Sequence, residues 1–483
     1  MKFLLYLCVT VLSLTRLCVA ETVVAAEKSP TKSAPTNIVL LYADNLGYGD
    51  LGCYGNFGIQ TPRIDQLARD GAKCTDFYVV ASTCTVSRGA ILTGRHPQRN
   101  GLLQQLVTDE NWYGVGLPHR ERIIPQYLNT AGYVSGCFGK WNIGFAPGSR
   151  PTERGFDEFL GCRSGNIHYF AHTYHGEYDI FRGVERCEVK GYSTEIFADA
   201  TCDFLRRQSA AKRPFFAYLP FNAPHYVSTV NTAKGEKPQW QVPEKYLQRY
   251  GWSGNEPDEK RRYFAVVTAM DDAVGKVLDT LKQLGLQENT LVIFISDMGA
   301  ILRPTHGFGA ASNAPFRDGA PSMYEGGIRV PAIFRWPGKI KPQTVTDEVL
   351  THLDVLPLCL RAADGQARDG RVLDGRVLDG RDPFPVLAEG AKSPHQYIVA
   401  KLRGSAALRA GRWKIVRTSP QSPWELYDLV ANGIESNNLA QSRPQELARL
   451  VALYESWEKD VQRDASQPVV YSPKGSDPQR SKL

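Results

Sequence analysis

The chain has 483 residues, of which 42% are hydrophobic and 22% charged, and its formal net charge at pH 7 is +7. This length and composition predict a packed globular protein with one large domain and a smaller one. The chain contains no run of Lys or Arg of the kind that binds nucleic acid. Although basic residues are in mild excess, we therefore do not expect a nucleic-acid partner.

Residues 1–20 have the pattern of a secretory signal. Lys2 gives the positive start, residues 3–12 are apolar, and small residues end at Ala20, although a cut after Ala26 is also compatible. An uncleaved membrane anchor is the alternative, but the apolar run is shorter than a bilayer span. We therefore expect a flexible leader at 21–36 and an exported protein, periplasmic or extracellular, without stable membrane insertion.

Continuous apolar runs over 37–43, 215–219 and 290–295 predict strands that are buried on both faces. Between the last two runs, apolar residues spaced by three and four predict one long helix over 259–284. Strands that alternate with helices favour an α/β fold with a large, mostly parallel sheet, and we assign it to 37–390. Asp44 and Asp297 each follow a predicted strand, where such folds gather their ligands.

After residue 390 the pattern changes to short strands at 397–401, 406–409, 413–417 and 425–429, followed by a helix over 444–461. We expect a small antiparallel sheet plus helix over 391–465 and a loose tail over 466–483. Just before this domain, residues 369–382 repeat Asp-Gly-Arg. An acidic cation loop is one interpretation of the repeat, and a short duplication in a surface connection is the favoured one.

Eight cysteines remain after the predicted signal, and none forms a CxxC pair, so a zinc ribbon is not expected. Export permits disulfides, but their pairing stays open. The segment 164–192 contains His168, His172 and His175. A histidine metal site is one interpretation of them, and solvated loop residues are the favoured one.

Six ordered blocks carry a more specific signal. They begin with Ala-Asp-Asn-Leu-Gly-Tyr-Gly-Asp at 43–50, and the most informative is Cys-Thr-Val-Ser-Arg-Gly-Ala-Ile-Leu-Thr-Gly-Arg at 84–95. The other blocks are Gly-Lys-Trp-Asn-Ile-Gly at 139–144, Asn-Ala-Pro-His at 222–225, Ile-Ser-Asp-Met-Gly at 295–299 and the segment 315–331. Together they resemble the type I, formylglycine-dependent sulfatases, which are arylsulfatase-like and have an alkaline-phosphatase-like sandwich fold.

The resemblance implies an enzyme that hydrolyses sulfate esters of aryl alcohols or sugars. Cys84 corresponds to the residue that formylglycine-generating machinery oxidises to formylglycine (3-oxoalanine), the catalytic nucleophile. Arg88, Lys140 and His225 correspond to catalytic residues that also bind the sulfated small molecule or glycan. A second set corresponds to the ligands of Ca²⁺ or another divalent cation: Asp44, Asn45, Cys84 and Asp297.

Five positions depart from the family pattern. Asn45 replaces an aspartate, Val86 a proline and Asn142 a histidine. Met298 stands where the family has Asn or His, and Ala320 aligns with a lysine that meets sulfate. Arg317 aligns with the family's own arginine.

Three hypotheses follow from these blocks and departures. The first is a sulfatase that uses Cys84 as formylglycine. The second is a catalytically impaired protein of the same fold that binds sulfated glycans. The third is another phosphoryl or sulfuryl hydrolase that uses Cys84 or Thr85 differently.

Overall fold

A ten-stranded mixed sheet forms the centre of the described part of the protein. The structure, a computed structural model, describes residues 35–106, 116–227, 240–302, 309–364 and 372–467. The predicted signal at 1–20, nearly all of the predicted leader and the tail from 468 onward lie outside the described residues. Among the helices that are described, none combines the length and the apolar composition needed to cross a membrane.

The strands, numbered in chain order, are β1 (Asn37–Ala43), β2 (Ala72–Cys74), β3 (Phe77–Tyr78), β4 (Val134–Phe138), β5 (Glu158–Gly161), β6 (Thr173–Tyr174), β7 (Glu177–Tyr178), β8 (Phe181–Arg182), β9 (Glu185–Arg186), β10 (Phe215–Pro220), β11 (Thr290–Ser296), β12 (Ala332–Arg335), β13 (Thr344–Thr346), β14 (Leu350–Thr351), β15 (Val372–Leu373), β16 (Arg376–Val377), β17 (Ile398–Leu402), β18 (Ser405–Ala410), β19 (Trp413–Arg417) and β20 (Glu425–Asp428). The helices are α1 (Pro62–Arg69), α2 (Cys84–Thr93), α3 (Pro97–Asn100), α4 (Ile124–Leu128), α5 (Ser193–Ala211), α6 (Glu244–Gln248), α7 (Glu259–Gln283), α8 (Glu325–Ile328), α9 (Val355–Asp364), α10 (Phe384–Glu389) and α11 (Pro444–Gln462).

The central sheet has the order β13-β2-β12-β11-β1-β10-β4-β5-β8-β9. Its middle block, from β11 to β5, is parallel throughout. Antiparallel pairings flank this block, at β11 with β12 on one side and at β5 with β8 on the other. The predicted sheet is therefore confirmed as parallel at its centre and mixed at its edges.

Strand β1 shows why its sequence is apolar without alternation. Ile38, Leu40 and Tyr42 belong to one buried hydrophobic cluster. Val39 and Leu41 belong to a second cluster on the opposite face of the sheet. Because successive side chains of a strand point to opposite faces, a strand covered on both sides must be apolar at every position.

The bounds of the long helix α7 differ by one residue from those that the apolar stripe predicts. The Asp258 side chain accepts a hydrogen bond from the backbone N–H of Lys260 at 2.8 Å and caps the first turn of the helix. Gly285 lies just beyond the other end with a φ of 67°. A left-handed residue at this position terminates a helix, and glycine adopts it without a steric penalty.

The C-terminal segment forms a four-stranded antiparallel sheet in the order β17-β18-β19-β20, with α11 packed against it. The predicted strands and terminal helix are confirmed, with boundaries that differ by no more than about one residue. The predicted domain boundary at residue 390 stays a prediction.

The Asp-Gly-Arg repeat forms the hairpin β15–β16 where it is described, with Asp374 and Gly375 at positive φ in its turn. Asp374 pairs with Arg122. Asp379 accepts a hydrogen bond from Arg99 Nε at 2.9 Å. These aspartates serve ionic contacts within the fold, which supports a surface connection over a cation loop.

All eight cysteines that follow the predicted signal lie within the described residues, and all of them are free thiols there. Of the three loop histidines, His172 is buried, so its prediction as a solvated residue is wrong. His175 is exposed and His168 is partly buried.

Candidate active site

Two buried carboxylates meet at the carboxyl ends of adjacent parallel strands. Asp44 follows β1 and Asp297 follows β11, and Ala43 pairs in register with Ser296. The backbone N–H of Asn45 donates to Asp297 Oδ1 at 2.9 Å. The predicted convergence of Asp44 and Asp297 is thus present, and Asn45 connects the two strand ends.

Cys84 is the first residue of α2 and lies directly against this strand edge. Its Sγ is 3.4 Å from Asp44 Oδ1 and 3.6 Å from Asn45 Oδ1. Burial raises the pKa of the Cys84 thiol well above its ordinary value, and Lys140 only partly opposes that effect. An unmodified Cys84 is therefore a protonated thiol and a weak nucleophile at neutral pH.

Arg88 lies one helical turn after Cys84, on the same face of α2. Its Nη2 donates to Asp297 Oδ2 at 2.9 Å and lies 3.6 Å from Asp44 Oδ1. Lys140 Nζ donates to Asp44 Oδ2 at 2.6 Å. The side chains of Arg88, Lys140 and both aspartates are all 0% exposed.

The four charged groups therefore balance each other inside the protein. Burial, followed by repulsion from Asp44, raises the pKa of Asp297 to about 6. The neighbouring cations Arg88 and Lys140 oppose this rise in the pKa. Two anions and two cations leave this part of the pocket with no net charge.

His225 follows the end of β10 and lies at the edge of the same pocket. Its Nδ1 is 2.6 Å from the Tyr226 carbonyl oxygen and 3.3 Å from Asn166 Nδ2, and the shorter contact favours a ring proton on Nδ1. Burial lowers the pKa of His225 to about 3, and Lys140 contributes to the shift. The imidazole is therefore neutral at physiological pH, with a lone pair on Nε2.

Asn142 occupies the position of the family's histidine and is fully buried. Its Oδ1 accepts hydrogen bonds from Thr85 Oγ1 at 2.8 Å and from Gln105 Nε2 at 3.0 Å. Thr85 Oγ1 also accepts the Leu106 N–H at 3.1 Å. This threonine hydroxyl is committed to the fold, and so Thr85 is not an available nucleophile.

The other departures from the family pattern are buried and mostly apolar. Val86, Met298 and Ala320 all belong to the hydrophobic cluster on the Cys84 side of the sheet. Arg317 does not replace the lysine that Ala320 lacks. Its Nη1 donates to Tyr427 Oη at 3.1 Å and to the Glu435 carbonyl at 2.9 Å, both in the C-terminal segment.

The structure brings together every site residue that the sequence predicts: Asp44, Asn45, Cys84, Arg88, Lys140, His225 and Asp297. Their roles stay predictions. Sequence reasoning missed Gln105, because it lies outside all six blocks and its role depends on contacts with Thr83, Thr85 and Asn142.

Among the described residues, one group of three His, Cys, Asp or Glu side chains has its ligand atoms within 4.8 Å of one another, and it consists of Asp44, Cys84 and His225. The group mixes oxygen, sulfur and nitrogen, and it leaves out Asp297. Calcium prefers six to eight oxygen ligands, so this grouping differs from the predicted calcium set.

Fold and site together place the chain among the alkaline-phosphatase-like α/β proteins, with a buried cluster of charged residues at the carboxyl end of the sheet. Residues 36–365 match the family model described as Sulfatase. This is well over half of the chain, and the protein belongs to the sulfatase family. The predicted family and fold are confirmed.

Curated relatives agree with this assignment. N-acetylgalactosamine-6-sulfatase of Canis lupus familiaris is 34% identical over 360 residues, covering 68% of this chain and 62% of the relative. The chain thus matches less than two thirds of that protein's length. Arylsulfatase A of Homo sapiens is 34% identical over 417 residues, covering 79% of this chain and 74% of the relative.

Among solved structures, Ps i-CgsB in complex with k-i-k-neocarrahexaose has a TM-score of 0.79 and 29% sequence identity. The similarity covers 91% of this chain and 95% of that one. This share exceeds the part of the chain that the family model matches, which ends at residue 365.

Proposed function

We propose that the protein is an exported hydrolase of sulfate esters, with a nucleophile made from Cys84. The observation that carries this proposal is the position of Cys84 at the N-terminus of α2, beside two fully buried cations, Arg88 and Lys140. Backbone N–H groups at a helix N-terminus favour an anion, and a buried guanidinium and ammonium strengthen that preference.

Lys140 and Arg88 bind the sulfate group in this proposal and balance the charge that builds up on its oxygens. Both cations are held by Asp44 and Asp297, so they are positioned before substrate arrives. Neutral His225 accepts a hydrogen bond at Nε2, for example from a hydroxyl of the substrate. In this protonation state it does not protonate the leaving oxygen.

The surroundings of Cys84 fit formylglycine. Two oxygen acceptors, Asp44 Oδ1 and Asn45 Oδ1, face its Sγ, so a hydroxyl at this position would have acceptors for its proton. Formylglycine supplies an oxygen nucleophile toward sulfur. Asp44 is the group placed to take up the proton that this hydroxyl loses.

Sulfatases generally use calcium as well as formylglycine, but the residues of this chain do not fit a calcium site. Three of the four oxygens of Asp44 and Asp297 already accept from Lys140, Arg88 or the Asn45 N–H, and the fourth, Asp44 Oδ1, faces residue 84. Position 45 has lost a carboxylate, and Met298 offers a soft thioether in place of oxygen. The calcium site therefore stays a prediction and is not part of the proposed reaction.

A sugar sulfate is the favoured substrate class. N-acetylgalactosamine-6-sulfatase is named for a sulfated sugar, and Ps i-CgsB was solved with k-i-k-neocarrahexaose. An aryl sulfate is nevertheless the better first probe, because a phenolate leaves with less help from a proton donor than an alkoxide does.

The deciding test is the chemical state of residue 84. The protein would be secreted from a host that contains formylglycine-generating machinery, and the tryptic peptide 74–88 would be analysed by mass spectrometry with aldehyde-specific labelling. An aldehyde at residue 84 together with turnover of an aryl or sugar sulfate supports the proposal. An unmodified thiol without turnover overturns it.

A second candidate function is binding of sulfated glycans without hydrolysis. It is favoured by the substitutions Val86 and Asn142, which change the maturation motif and remove a proton carrier. This candidate predicts saturable binding of a sulfated glycan by a protein whose residue 84 is a thiol.

A further inference from the structure

We infer that this pocket binds its sulfate group without calcium, and that the amide groups of Asn45 and Asn142 act as neutral donors to the sulfate oxygens. The inference rests on the proposed function, since it concerns the same sulfate pocket. It differs from the calcium requirement of sulfatases in general.

The charged groups of the pocket already balance each other. Asp44 and Asp297 are neutralised by Lys140 and Arg88 inside a region with no solvent exposure. A divalent cation added to this balanced set would bring two uncompensated positive charges into a buried site, which is strongly unfavourable. A sulfate ester carries one negative charge, and its arrival leaves a much smaller imbalance.

Two buried amide nitrogens of this pocket remain as free donors. Asn45 Nδ2 and Asn142 Nδ2 are buried and have no hydrogen-bond partner among the described residues. A buried donor without a partner costs free energy, so such groups call for a ligand or an ordered water. Both amides contact the first turn of α2, Asn45 at Cys84 and Asn142 at Thr85.

The orientation of the Asn142 amide follows from a backbone group. The N–H of Thr85 can only donate, and it lies 3.1 Å from Gln105 Oε1. This fixes Gln105 Nε2 as the donor to Asn142 Oδ1, and so Nδ2 is the end of the Asn142 amide that remains free. Gln105 is thus a positioning residue.

Glycine at position 165 keeps this amide accessible. A Cβ at Gly165 would lie 3.3 Å from Gln105 Nε2 and 3.5 Å from Asn142 Nδ2. Any larger side chain would cover the two amides. The absence of a side chain leaves space for an oxygen of the ligand beside Asn142.

The main test uses the full chain, treated with EDTA, and methyl sulfate, a sulfate ester with one negative charge, as the probe in isothermal titration calorimetry. The expected result is an affinity for methyl sulfate that changes by less than about twofold when calcium replaces EDTA. Binding that appears only with calcium would overturn this inference while leaving the proposed sulfate pocket intact. If methyl sulfate binds under neither condition, the proposed sulfate pocket fails and this inference fails with it.

Two variants test the donors themselves. Asn142→Asp keeps the shape and removes the donor, and it should weaken sulfate binding about 10- to 100-fold in EDTA. Gln105→Glu should weaken it similarly, because the introduced carboxylate reverses the Asn142 amide. Asn437→Asp, at an exposed position, makes the same charge change and should leave binding unaltered. Unchanged affinity in both pocket variants would contradict the role of the amide.

A gain of function completes the test. Asn45→Asp combined with Met298→Asn restores the family residues at two positions and adds one negative charge. Calcium should then raise the melting temperature of the double variant and leave that of the wild type unchanged. Equal stabilisation of both proteins by calcium would contradict the inference.

Discussion

Two buried ionic clusters in this protein differ in what their donors do. The first is the pocket cluster of Asp44, Asp297, Arg88 and Lys140. The second, here called the interface cluster, joins the segment around β3 and α8 to the C-terminal sheet and consists of Asp76, Glu325, Arg329, Arg409, Lys414 and Glu435.

In the interface cluster every cationic nitrogen has a partner. Lys414 Nζ lies 2.8 Å from Glu325 and 2.8 Å from Glu435. The guanidinium of Arg329 contacts Thr75, Glu325 and Asp76, each through a different nitrogen. Such a closed set is typical of a structural contact.

The pocket cluster is open by comparison. Arg88 shares a side-chain hydrogen bond with Tyr218, but the amide nitrogens of Asn45 and Asn142 beside it have no hydrogen-bond partner among the described residues. Both clusters balance their charges and are largely buried, although the two arginines of the interface cluster are only partly buried, so neither property identifies a binding site by itself. The unused donors do, because a ligand is needed to satisfy them.

Removal of Lys414 should give the largest effect on stability. Lys414→Met leaves the carboxylates of Glu325 and Glu435 buried without the cation they share, at a cost of about 3–5 kcal/mol in the free energy of unfolding. Urea unfolding measures this loss. Lys392→Met, at a side chain that is 92% exposed, is the control and should cause little change.

The sulfate affinity of Lys414→Met is a second measurement on this variant. The fraction that remains folded should bind sulfate with wild-type affinity, because the interface cluster has no free donor for a ligand. A loss of sulfate affinity equal to that of a pocket variant would erase the distinction between the clusters.

The matching change in the pocket should act mainly on binding. Lys140→Met removes a charged donor, and we expect sulfate affinity to fall about 100-fold in calorimetry. Stability should fall less than for Lys414→Met, since Asp44 keeps Arg88 at 3.6 Å. Lys392→Met again serves as the control. The reverse order of stability losses would contradict this prediction.

Local patterns predicted the framework of the fold well. The predicted strand at 37–43 and the predicted helix at 259–284 agree with β1 and α7. A strand buried on both faces is apolar at every position, and a helix buried along one stripe has apolar residues at spacings of three and four, so both can be recognised in the sequence. The six blocks likewise identified the pocket, since parallel strands deliver their carboxyl ends to one edge.

Long-range contacts were beyond the reach of these patterns. Arg317 could be assigned to the C-terminal segment only when Tyr427 and Glu435 were seen beside it. Gln105 has no motif, and its function depends on which end of a neighbouring amide it holds. Nothing in the residue spacing encodes such orientations.

The pH dependence of stability tests whether the folded protein holds His225 in its neutral form. His225 has a pKa lowered from 6.5 to about 3 by burial, so below pH 6.5 the unfolded chain binds a proton that the folded protein does not. The contribution of the neutral His225 imidazole to the free energy of unfolding is therefore lost as pH falls from about 6.5 toward 3. His225→Gln should reduce this slope by at most about 1.4 kcal/mol per pH unit.

Urea unfolding at several pH values between these limits would measure the slope. His175→Gln, at an exposed histidine, is the matched control. If His225→Gln and the control give the same pH dependence, the pocket histidine is not held in its neutral form.

The smallest expected effect on stability comes from Val86→Pro, which restores the family's maturation motif. Val86 is the third residue of α2, and the backbone N–H groups of the first helical turn have no acceptor within the helix. Proline here therefore removes no helical hydrogen bond, and we expect a stability change within about 1 kcal/mol. The fraction of aldehyde at residue 84, measured on peptide 74–88, should rise.

Val86→Ala separates the two consequences of this change, because it removes the valine side chain without introducing proline. It should leave the aldehyde fraction at the wild-type value. If both variants carry the same fraction, the residue at position 86 does not limit maturation. If only Val86→Pro gains aldehyde and turnover, the cations and carboxylates of the pocket are sufficient for hydrolysis, and Val86 is what restrains it. Aldehyde without turnover would place the restraint in the pocket itself, at Asn142 and the neutral His225.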